Sequence, residues 1–134
     1  MNLENQVVRL ELAKRLKELG VEQESIFVWV HRFPYELHPR DDSRWSKARC
    51  VAAFTVAELG EMLPRQVLRS VAGMKKVYSL RIDQMPSQWR VRYMAGRNDA
   101  RHNELEWTVG TEADARAMML IYLIENALIE VPGA

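Results

Sequence analysis

Three histidines, one cysteine and two adjacent aspartates are the residues of this 134-residue chain whose types could do chemistry. A zinc site needs His and Cys donors at short, fixed spacing so that they converge on one ion. His31, His38 and His102 are far apart, with no Cys partner and no close His pair, and match no such spacing. Cys50 opens a small apolar run to Phe54, which predicts burial and not a nucleophile. Asp41 and Asp42 stand side by side between Arg40 and Arg44, where solvated ion pairs are expected in place of a proton-transferring dyad. No glycine-rich phosphate loop and no Gly-x-Ser-x-Gly elbow occurs. The sequence therefore assigns no catalytic residue, no metal ligand and no cofactor.

Binding surfaces are the better candidates. Trp45 lies in a polar stretch from Pro39 to Arg49, with Arg40, Arg44 and Lys47 around it. A rigid aromatic among cations is the composition that dominates interface hot spots. The competing reading is a tryptophan folded back as a plug over the core edge, since large aromatics are mostly buried. A second candidate is a row of Arg81, Arg90 and Arg92 on the outer face of a predicted sheet, joined by Arg97 and Arg101 in a basic loop. Arginines on a sheet face can meet phosphate. Glu104 and Glu106 are expected beside Arg90 and Arg92, which favours a face that pairs with itself.

The elements that must hold these residues are legible from periodicity. Residues 3 to 19 predict an amphipathic helix with Val8, Leu12, Leu16 and Leu19 on one stripe, ended by Gly20. Ser25 to Phe33 predicts a central strand, with His31 half-buried on it, and Tyr35 to His38 a second strand or an edge. Thr55 and Glu58 form a capping box for a short helix ending before Pro64. Pro64 can open a further short helix through Val67, Leu68 and Val71, closed by Gly73, so that this middle region holds one kinked helix or two. Three strands are then predicted at Val77 to Asp83, Trp89 to Ala95 and Glu104 to Gly110, with one shared apolar face.

The chain closes on a helix from about Glu112 to Ile129, N-capped by Thr111 with Asp114 three residues on. Its stretch Ala117 to Ile124 is apolar on every side, so it must be buried on every side, and it is the natural lid of the sheet. The expected fold is α+β, one globular domain over residues 1 to 134. A mostly antiparallel sheet packs against N- and C-terminal helices, with one or two short helices in the middle.

Nineteen basic against eighteen acidic side chains give a net charge of +1, so no global field draws the chain to nucleic acid or to an anionic membrane. A lone cysteine and a charged N-terminal stretch without a hydrophobic leader core predict a cytoplasmic protein. No apolar run approaches the roughly 20 residues of a membrane span.

The blocks LELAKRLKELGVEQES, AFTVAELGEMLP and TEADARAMMLIYLIENALI resemble a group of small phage and prophage proteins that carry no assigned activity. The resemblance covers nearly the whole chain and transfers no functional residue, because its blocks coincide with the predicted helices. It implies a phage or mobile-element accessory protein. Together with the lack of catalytic residues, it leads to the expectation of a non-enzymatic protein that binds a host or phage protein, for example as an inhibitor of a host defence system. The alternative expectation is nucleic-acid binding through the arginine-bearing sheet face and basic loops. Three antiparallel strands followed by a helix is also the order in the second half of double-stranded RNA-binding domains. Those domains begin that helix with phosphate-binding lysines, whereas this one begins Thr111-Glu112-Ala113-Asp114, which repels phosphate.

Overall fold

A computed structural model describes residues 2–32, 34–95 and 105–133. Among these residues, two antiparallel sheets and three α-helices make up the α+β fold. The larger sheet runs in sequence order through β4 (Gln66–Val71), β5 (Met74–Met85), β6 (Gln88–Met94) and β7 (Leu105–Val109). The smaller has β1 (Phe27–Val30) at its centre, between β2 (Glu36–Pro39) and β3 (Cys50–Ala52). Helix α1 (Leu10–Glu18) packs on β3 and on α3 (Glu112–Glu125), and α2 (Val56–Met62) packs on α3 from another side.

The position of α3 follows from its composition. Every residue from Ala113 to Ile124 is buried or partly buried, because β6 and β7 cover one side and α1 and α2 cover others. Thr111 accepts the Asp114 N–H at its hydroxyl, as an N-cap should. The Asp114 carboxylate accepts the Arg9 N–H at 2.9 Å, tying the start of α3 to the start of α1. The helix stops at Glu125, short of Ile129: Ala127 enters the left-handed region at φ 54°, and the Leu128 N–H returns to the Leu123 carbonyl. That wrapped C-terminus folds Leu128 and Ile129 back against the core.

The apolar face of the large sheet has the expected composition. Leu80 faces Tyr93, Ile82 faces Val91, and Val91 in turn faces Trp107. Tyr78, Val91, Tyr93 and Leu105 are fully buried in the core cluster that α3 shares. The Tyr93 hydroxyl donates to the Pro64 carbonyl at 2.6 Å, and burial pushes its pKa far above that of an ordinary phenol.

Three further expectations are corrected. The N-terminal segment is not one helix: residues Leu3–Asn5 form a 3-10 turn, Val7 bridges Thr55, and the helix begins only at Leu10. Val8 donates to the Phe54 carbonyl and accepts from Trp29 Nε1, so tertiary hydrogen bonds replace the helical ones its spacing suggested. Gly20 does end α1, at φ +89°, with Val21 N–H bonded to the Leu16 carbonyl.

The second correction is larger. Residues 66–71 are a strand, not a helix: β4 pairs with β5 through a tight turn at Ala72 and Gly73, with φ of 52° and 80°. Val67 and Val71 satisfy both a four-residue helical spacing and a two-residue strand alternation, and the long β5 supplies the partner that decides between them. Leu68 consequently points to the outer face and is left 61% exposed.

Third, His31 is exposed, lies just past β1, and stacks on Tyr35 with ring centroids 4.8 Å apart. β1 is central, as expected, but in a sheet of its own.

Candidate interaction site

Trp45 is neither a core plug nor a free side chain. It is half-buried on the β2 side of the small sheet, with its ring 5.2 Å from that of His38 and tilted to it. Two guanidinium groups lie over the indole, Arg44 at 4.7 Å and Arg32 at 5.0 Å from the centroid. Each such cation is attracted by the negative face of the ring, by about 0.5–1 kcal/mol at an exposed site. The turn that carries Trp45 is built by Asp41, whose carbonyl accepts the N–H groups of Arg44 and Trp45. The Asp41 carboxylate accepts the hydroxyl and N–H of Ser43, and these bonds hold its pKa below the usual carboxylate value.

An open cleft of about 290 Å³ runs beside the tryptophan, lined by Lys17, Arg40, Lys47 and Cys50 among others. Its walls are fixed by long-range hydrogen bonds. Lys17 Nζ donates to the carbonyls of Lys47 and Cys50, pinning the loop to α1. Arg40 donates from Nη1 to the Gln23 carbonyl and pairs with Asp42 at 3.0 Å. Of the four residues expected here, Trp45 and Arg44 form the stack, Lys47 borders the cleft, and Arg40 is largely committed to holding the loop. Arg32 and His38 are additions. They lie on or beside the strands β1 and β2, and only the pairing of Val28 with His38 and Val30 with Glu36 brings them to the loop.

The Glu36 carboxylate accepts from His38 at 2.8 Å and lies 3.8 Å from Arg32, which lowers its pKa, the His38 bond being the larger cause. Cys50 is partly buried in the cleft, and that burial raises its pKa despite the nearby Lys17 and Arg40. We therefore expect iodoacetamide at pH 8 to alkylate Cys50 more slowly than a free small thiol, with the difference abolished in denaturant. A faster reaction in the folded state would contradict this placement.

The second predicted surface is differently built. Asp83 accepts two bonds from Arg90, at 3.1 and 3.3 Å, and lies 3.3 Å from Arg92, while Glu106 is 3.7 Å from Arg90. The face pairs with itself, as its sequence suggests, but its chief acid is Asp83 from the neighbouring strand. Arg92 keeps a buried Nε without a partner among the described residues. Arg81 is exposed, and Arg97, Arg101, His102 and Glu104 lie outside the described residues.

Compared with known proteins, the chain matches no family model, no curated protein and no solved structure. Among the described residues no helix is long and apolar enough to cross a membrane.

Proposed function

We propose that this protein acts by binding another protein through the Trp45 surface, without catalysis of its own. The observation that carries this reading is the indole with the Arg32 and Arg44 guanidinium groups both over its ring, at the rim of an open cleft. The ring holds both guanidinium groups close before any partner arrives, so less side-chain entropy is lost when their remaining donors meet a carboxylate. A preformed aromatic and arginine cluster is what interface hot spots are made of. The partner is a cytoplasmic host or phage protein, and inhibition of a host defence system is the activity that the phage-like sequence blocks suggest. The Arg90 and Arg92 face supports nucleic-acid binding poorly, because its cations are already neutralised by Asp83 and Glu106.

The test is affinity capture from host lysate with wild-type protein and Trp45→Ala in parallel, read by mass spectrometry. Trp45 stands outside the main hydrophobic cluster. Its loss is expected to cost about 1–2 kcal/mol, several degrees in Tm and less than a core variant, while removing the captured partner. A variant that melts as low as a core variant, or that still captures the same protein, would overturn the assignment.

A further inference from the structure

The β4–β5 hairpin is an arm whose character appears only once it is known to be a hairpin. Residues 64–82 hold Arg65, Arg69, Lys75, Lys76 and Arg81 and no acidic residue, in a chain whose overall charge is +1. Among the described residues β6 pairs with β5 from Ser79 onward, and Met74 to Tyr78 pair with β4 alone. From Val67 and Tyr78 to the turn, at about 3.4 Å per residue, roughly 14 Å of two-stranded ribbon lies beyond the end of β6. Its tip carries exposed Met74 at 67% and, along one face, Leu68 and Val77. Neither Arg65, Lys75, Lys76 nor Arg81 has a carboxylate within ion-pair distance among the described residues.

We propose that this ribbon is a binding arm for duplex DNA, entering the major groove tip first. This surface is independent of the Trp45 site and belongs to the other sheet. The major groove of B-form DNA, about 12 Å wide, admits a two-stranded β-ribbon, whereas the deep, narrow major groove of A-form RNA does not. Lys75 and Lys76 are consecutive in a strand, so they project from opposite faces of the ribbon, one toward each phosphate wall. The small residues Ala72 and Gly73 at the turn let backbone approach the groove floor. Met74, beside them, offers an apolar contact to base edges. Arg65 and Arg81 lie nearer the ribbon's base, Arg81 about 20 Å along β5 from Lys75 by strand rise, within reach of the flanking backbone. Charge selects the occupant: an acid-free basic arm attracts a polyanion and repels a basic partner.

Fluorescence anisotropy with a labelled 20-base-pair DNA duplex tests the proposal. The full chain should bind at 50 mM NaCl. Neutralising about four phosphates implies a log–log salt slope near −3.6 and a loss on the order of 10²-fold in affinity by 200 mM. Lys75→Glu with Lys76→Glu should weaken binding at least tenfold at low salt with an unchanged thermal melt. The charge-matched pair Arg9→Glu with Lys14→Glu, at the start of α1, should leave it within about twofold, which separates a local arm from net charge. The proposal is overturned by absence of binding at 50 mM NaCl or by equal loss in the two double variants. Equal affinity for single-stranded DNA or duplex RNA of the same length would also overturn it, as would the arm binding an acidic protein but not the duplex.

Discussion

Leu120→Ala is expected to remove roughly 2–5 kcal/mol of folding free energy, the range for a fully buried leucine whose neighbours cannot close the cavity. Leu120 is completely buried on α3, in the main cluster with Tyr78, Val91, Tyr93, Met119 and Leu123. Collapse is hindered because α3 is held from several sides at once: β6, β7, α1 and α2 all contact it. Typical domains have about 5–15 kcal/mol in total, so the variant should melt on the order of 10 °C lower or more. Ile124 is only partly buried, and Ile124→Ala should cost clearly less. The near-isosteric Leu120→Met should stay within about 1.5 kcal/mol. Urea unfolding of the three variants checks the order. A cost for Ile124→Ala equal to that for Leu120→Ala would mean that α3 is rotated about its axis, with Ile124 turned inward.

Asp114→Ala is expected to have the next largest effect, about 1.5–3 kcal/mol, the range for a hydrogen bond to a charged acceptor. Asp114 is 9% exposed, and its carboxylate accepts the Arg9 N–H at 2.9 Å. With alanine there, that donor loses its partner at the junction of two helix starts, and α3 loses an acidic group from its positive end. Asp114→Asn keeps an acceptor oxygen without the charge and should recover more than half of the loss; thermal or urea unfolding of both variants measures it. Equal destabilisation by the two substitutions would assign the effect to charge at the helix end and not to the link with Arg9.

Local patterns that carry a single physical meaning could be read directly from the chain. A helix apolar on all sides has nowhere to be except inside, and α3 is inside. The capping box at Thr55 and Glu58 closes within four residues, so no distant contact is needed to recognise it. Strict alternation in β5, β6 and β7 sets the inward face and predicts the arginine row on the outer one. What tertiary structure decided was every case where one pattern fits two conformations, or where a site is assembled from separate strands. Val67 and Val71 fit helix and strand alike until β5 presents a pairing edge, and with that choice the basic arm comes into being. Val8 continues a helical stripe on paper, yet its backbone is claimed by Phe54 and Trp29. Arg32 reaches Trp45 only because β1 and β2 fold antiparallel, a long-range hydrogen-bond register that no local spacing encodes.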